Sequence, residues 1–265
     1  RINMVLKDIA LLAADTTRSR AYLHAMIQED MLPEVCIVYS DDISKTQNNA
    51  GGGDYKNWSD DEYFDSNVSL VVLLQKAGIP YVLVENKDIN SEQMKNSICN
   101  LQQQYLIYSG YGGYILKAHL FQLGKKFIHV HAGILPQYRG STTVYYSFLQ
   151  EKVLGATAIF LSESIDEGEI IVSDTFEAPD KFVDIDYIYE PYMRSKVLVK
   201  AIRKYLSDGK FTACEQDAEG AETYFIIHPV LKHIAMLGFE REFGNKKSGE
   251  NKHEGSNIYA TRGGN

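Results

Sequence analysis

Short apolar runs separated by helix-like segments constrain this chain more than any other feature. Asp8 to Ala14 reads DIALLAA, Glu34 to Ser40 EVCIVYS, Pro80 to Glu85 PYVLVE, Gln104 to Gly110 QYLIYSG, and Lys125 to His131 KKFIHVH. Each run has the length and the β-branched or aromatic content of a buried strand. Between them lie DTTRSRAYLHAMIQED, with Thr16 or Thr17 as a cap, and NVSLVVLLQKAG, stopped by Gly78. NSEQMKNSICNLQ, capped by Asn90 or Ser91, and the shorter ILKAHLFQLG follow. Strand alternating with helix predicts an α/β fold: an open, largely parallel Rossmann-like sheet with helices on both faces.

The pattern continues downstream. STTVYYSFLQEKV predicts a helix with Ser141 as cap, and GATAIFLSES and EIIVSDTF predict two more strands. YEPYMRSKVLVKAIRKYLSDG predicts a long helix with Pro191 in its first turn and Gly209 at its end. TYFIIHPVLKHIAML reads as a strand and a short apolar helix. With 265 residues, 45% of them hydrophobic, the chain can build one substantial core. The expectation is a single domain over 1–239, with a hydrophilic, disordered tail over 240–265. The segment 41–65 breaks the alternation with AGGGDYKNWSDDEYFD, which is too polar for a core strand. It predicts a long surface loop, with a lid anchored by Trp58 as the functional alternative.

A net charge of −8 with no long basic run argues against a nucleic-acid partner. Three scattered cysteines without a paired motif suit a reducing compartment. No apolar stretch reaches the roughly 18 residues of a membrane span. The expected location is the cytoplasm.

In a doubly wound sheet, ligands sit at the carboxyl ends of the strands. There stands HVHAGILPQYRG, His129 to Gly140. Residues i and i+2 of a strand share a face, so His129 and His131 point together. Downstream, SIDEGEII places Asp166 at the start of a tight loop containing Gly168. A histidine with a carboxylate from elsewhere in the fold makes a general acid–base couple. A His-x-His pair with a distant aspartate can also bind zinc or iron. No further histidine or cysteine stands at a ligand spacing, so no metal is expected.

Taken together, IHVHAGILPQYRG and then GATAIFLSESIDEGEII resemble the folate-dependent formyltransferases, over about Asp8 to Pro179. The resemblance implies the formyltransferase fold and transfer of a formyl group from 10-formyltetrahydrofolate to an amine. It assigns His131 and Asp166 as the catalytic histidine and aspartate. Leu135, Pro136 and Gly140 match the family's turn, and Gly155, Thr157 and Gly168 match the segment after it. SGYGGYIL is similar to the family's folate-lining loop, so the backbone of Tyr114, Ile115 and Leu116 is assigned to the pterin ring. His129 stands where the family carries an asparagine that donates to the formyl oxygen. An imidazole can replace that donor with a new pH dependence. It also leaves open a hydrolase, another one-carbon or carbamoyl transferase, or a degenerate member that binds without turnover. The serine usual near the histidine is replaced by Ala132-Gly133.

For the acceptor, the length of chain past the core and the acidic balance set the expectation against initiator tRNA. A small-molecule amine, first a nucleotide-linked amino sugar, is expected. Arg139 is a candidate contact to an anionic substrate, with turn stabilisation as the alternative role. Arg194 is a second, weaker candidate for an anion. The oligomeric state, a homodimer included, is left open.

Overall fold

The computed structural model describes residues 4–48, 63–179, 182–217 and 219–253. Most of the expected 41–65 loop, Trp58 included, lies outside the described residues. Its first part is a short helix, α2 (Ile43–Asn48), rather than loop.

Nine strands and eight α-helices follow one another among the described residues. The first half reads β1 (Met4–Ala13), α1 (Thr17–Gln28), β2 (Met31–Ser40), α2, α3 (Leu70–Ala77), β3 (Tyr81–Glu85), α4 (Glu92–Cys99), β4 (Tyr105–Ser109), α5 (Ala118–Phe121) and β5 (Lys126–His131). The second half reads β6 (Arg139–Gly140), α6 (Thr143–Glu151), β7 (Leu154–Phe160), β8 (Ile170–Phe176), α7 (Glu190–Asp208), β9 (Thr223–Tyr224) and α8 (Pro229–His253). A π-helical stretch, Ile185–Tyr189, leads directly into α7.

Seven strands form one sheet in the order β3-β2-β1-β4-β5-β7-β8. The strands β1 to β5 run parallel, whereas β7 is antiparallel to both β5 and β8. The chain therefore starts in mid-sheet, winds outward to β3, and returns to add β4 and β5 on the other side. The switch point lies between β1 and β4, where a crevice opens at the strand ends. Both faces are covered. One core joins Ile9, Leu11 and Val38 of the sheet to Leu23, Leu74 and Leu198 of α1, α3 and α7. The other joins Leu12, Ile37 and Leu106 to Met94, Ile98 and Leu120 of α4 and α5.

Helix ends follow local chemistry. Thr16 caps α1, accepting from Ser19 N, while Ser69 and Ser91 cap α3 and α4 in the same way. Gly78 and Gly209 close α3 and α7 in the left-handed conformation. Two expectations change. Ser141 does not cap α6: the cap position is Thr142, whose hydroxyl instead accepts from Ile227 N and so ties α6 to the segment before α8. The last helix is not short, since α8 runs to His253, into the segment expected to be a tail. That stretch contains no proline and many Glu, Lys and Arg residues, which lose little rotamer freedom in a helix.

Candidate active site

His131 ends β5 in a buried position, 4% exposed. Leu135-Pro136 is a cis peptide, and the turn brings the Tyr138 carbonyl back to the imidazole, 2.6 Å from Nε2. A carbonyl only accepts, so Nε2 carries a proton. Gly133 makes this approach feasible. A Cβ there would lie 2.7 Å from the Tyr138 oxygen and 2.9 Å from His131 Nε2. Thr157 of β7 fixes the turn from the far side, donating to Gly133 O at 2.7 Å and accepting from Leu135 N at 3.2 Å. The glycine and threonine thus secure a turn that lacks the family's usual serine.

Asp166 reaches His131 by an unexpected route. Strand β7 pairs antiparallel with β5, His131 facing Thr157 and Ile128 facing Phe160. The carboxyl end of β7 therefore lies away from His131. The loop 161–168 returns across β5 and brings Asp166 Oδ1 to 3.4 Å from His131 Nδ1. Gly168 closes that loop so tightly that a Cβ would fall 1.7 Å from the Phe160 carbonyl oxygen. Asp166 adopts φ +55°, a left-handed conformation that aspartate tolerates better than most residues. Its second oxygen accepts from Gly140 N at 2.9 Å. Gln216 donates to both Asp166 O and Gly168 O and so pins the loop.

His131 therefore sits between two acceptors. Burial lowers its pKa below the usual histidine value, while the Asp166 carboxylate and the Tyr138 carbonyl act in the opposite sense. Nε2 points its proton at the Tyr138 carbonyl, and Nδ1 faces the Asp166 carboxylate. A proton delivered to Nδ1 would meet an acceptor already in place.

A cleft of about 490 Å³, open to solvent, lies beside this couple. Tyr114, Ile115 and Leu116 line it together with Ser162, Ser164, Ile165 and Asp166, and Tyr108 and His129 are among the other lining residues. The expected folate-lining segment and the expected aspartate thus line one space, and His131, which contacts Asp166, is not among its lining residues. Asn90 holds the Tyr114–Leu116 segment, donating to Ile115 O and accepting from Lys117 N. Apolar walls with a polar rim suit a flat heterocycle.

His129 shares the cleft wall but not its neighbour's surroundings. Its Nδ1 lies 3.5 Å from Tyr108 O, and Arg194 Nη2 lies 3.4 Å from its Nε2. Burial first, then Arg194, Arg18 and His131, hold its pKa well below the usual histidine value. Arg194 does not present itself to a ligand: it donates to Val130 O at 2.7 Å and pairs with Glu190 at 2.8 Å. Arg139 is bound to Gln216 and Glu167, so in this structure it braces the Asp166 loop. Gln216, Tyr108 and Arg18 were not singled out by the sequence reading. The Glu190/Arg194 spacing of four on an otherwise apolar helix face was a readable signal of a buried ion pair. Among the described residues, no group of three or more His, Cys, Asp or Glu side chains is arranged to hold a metal ion.

Residues 9–182 match the family model described as formyl transferase. The chain belongs to the formyl transferase family. A methionyl-tRNA formyltransferase of Finegoldia magna is 28% identical over 166 residues, 60% of this chain and 51% of that protein. A formyltetrahydrofolate deformylase of Escherichia coli K12 is 26% identical over 150 residues, 52% of each. The chain spans about half the length of these curated formyl transferase relatives. Among solved structures, the N-formyltransferase of Helicobacter canadensis, in complex with folinic acid and dTDP-3-aminofucose, superposes with a TM-score of 0.53 at 16% identity. That match covers 82% of this chain and 70% of that one. Glycinamide ribonucleotide transformylase 1 of Symbiobacterium toebii also gives 0.53, at 15% identity over 79% of this chain and 93% of its own. At these identities the superpositions establish the formyl transferase fold. No helix among the described residues is long and apolar enough to cross a membrane.

Proposed function

We propose that this chain transfers a formyl group from 10-formyltetrahydrofolate to a small-molecule amine, first a nucleotide-linked amino sugar. One observation carries the reading. Asp166 lines the same cleft as Tyr114–Leu116, with His131 Nδ1 3.4 Å from its carboxylate. 10-Formyltetrahydrofolate supplies an activated formyl group on N10. Tyr114, Ile115 and Leu116 would hold its heterocycle, and Asp166 would face the incoming amine. As the amine nitrogen bonds to the formyl carbon, it must lose a proton. Asp166 accepts that proton or passes it to His131 Nδ1, where the new imidazolium is held by Asp166 and the Tyr138 carbonyl. The bond from the formyl carbon to N10 then breaks, and the stored proton leaves with N10. Atoms and charges balance without a covalent enzyme intermediate.

The amino-sugar acceptor draws support from the Helicobacter canadensis enzyme, which was solved with such a ligand. A second reading is hydrolysis of the formyl donor, favoured by the deformylase relative and by His129 in place of the family's asparagine. In that case water takes the place of the amine, and formate is released. Two measurements decide. A saturable rise in melting temperature with 5-formyltetrahydrofolate is expected from a ligand that binds only the folded chain. Tetrahydrofolate should then form with an amino-sugar acceptor present and not without one. Equal formation with no amine would establish hydrolysis, and no thermal shift on a folded chain would remove the folate reading.

A further inference from the structure

The two contacts of His129 have a fixed direction because of what the partners are. The Tyr108 carbonyl has lone pairs only, so His129 Nδ1 must donate to it. The Arg194 guanidinium has N–H groups only, so His129 Nε2 must accept from it. Both contacts are long, at 3.5 and 3.4 Å, yet both select the same tautomer. We propose that Arg194 is a positioning residue that fixes His129 as a neutral imidazole protonated on Nδ1, leaving this position with no N–H to offer a formyl group.

Arg194 is built for that task. It is 8% exposed, and its other nitrogens are committed to Val130 O and Glu190. Glu190 and Arg194 lie one turn apart on α7, so the guanidinium plane is anchored at three points. The charges around His129 oppose a second proton on it. From α7 come Arg194 and its partner Glu190, and from α1 comes Arg18, bonded to Ser109 and Gly110. From its own strand comes His131, itself paired with Asp166, and from β4 the Tyr108 carbonyl and phenol. A proton on Nε2 would point at a guanidinium rather than at a carboxylate.

The inference takes its catalytic meaning from the formyl-transfer reading, but it can be measured without substrate. Nitrogen-15 NMR of the intact chain reports the tautomer of each histidine, and loss of one signal set in His129→Asn assigns His129. Nδ1 is expected to be protonated and Nε2 bare, with no titration from pH 8 to about 5, the range in which a free imidazole changes charge. In Arg194→Met the two tautomers should mix and the ring should titrate nearer its ordinary value; Arg194→Lys, which keeps a cationic donor, should fall between. An Nε2-protonated or cationic His129 in the unaltered chain at pH 7 would overturn the proposal, whether or not the variants fold. So would a folded Arg194→Met with an unchanged His129 spectrum. A clamped His129 in a chain that binds no folate would sink the functional reading and leave this one standing.

Discussion

The two histidines of β5 share a strand and a face, yet the fold gives them opposite surroundings. His131 is met by acceptors on both sides, the Tyr138 carbonyl and Asp166. His129 is met by a carbonyl on one side and a guanidinium on the other. The first ring is set to take a proton when one arrives; the second is set to refuse it. A His-x-His motif therefore carries no chemistry of its own. Asp166 and Arg194, brought in from later elements of the chain, distinguish what each imidazole does.

The largest effect should come from breaking the His131 side. His131→Ala and Asp166→Asn are each expected to lower kcat by about 10² to 10⁴, the usual worth of general acid–base catalysis. The thermal shift with 5-formyltetrahydrofolate should survive in both. Full turnover in His131→Ala would equate the two histidines and remove the comparison. Gly168→Ala should act nearly as strongly by a different route. Its Cβ would fall on the Phe160 carbonyl, so the loop must shift and carry Asp166 away from His131. Both the melting temperature and kcat should drop, and a variant with unchanged kcat would show that Asp166 is not needed at its present place.

The His129 side should answer more quietly. His129→Asn is expected to keep turnover, with any loss well short of the about 10² to 10³ that removal of an oxyanion donor costs. A loss of that full size would mean His129 donates to substrate after all. The smallest effect concerns stability. His129 titrates below its unfolded value of about 6.5, so the unfolded chain binds more protons in acid. Its contribution is complete above about pH 6.5 and falls as pH drops below that, by up to about 1.4 kcal/mol per pH unit. Urea melts at pH 7 and 5.5 should show the loss, and His129→Asn should reduce the slope. A steeper slope in the variant would reverse the assignment.

Much of this was legible in the chain itself. Period-two spacing put His129 and His131 on one face, and the alternation of strand and helix put them at a ligand-binding edge. The resemblance picked out Asp166 and Tyr114–Leu116, which line one cleft. What the chain hid was direction. Nothing in GATAIFLSES distinguishes a parallel from an antiparallel strand, because β7 is buried along its whole length and shows no alternation. The partners of His129 were equally hidden. The spacing of Glu190 and Arg194 shows an ion pair, but not that the packing of α7 also brings the Arg194 fork to Val130 O and His129.

The antiparallel return of β7 has a consequence for local motion. Asp166 rides on the connection between β7 and β8, and β8 is the last strand of the sheet. His131 belongs to an interior strand and is held whatever the edge does. Edge elements open at lower free energy than interior ones. Amide exchange in β8, whose main chain is also tied to Cys214, Lys200 and Lys204, would therefore report how often the carboxylate leaves the imidazole. If β8 opens first, the acid–base couple should lose Asp166 before the sheet interior unfolds, and exchange in β8 should then track that loss.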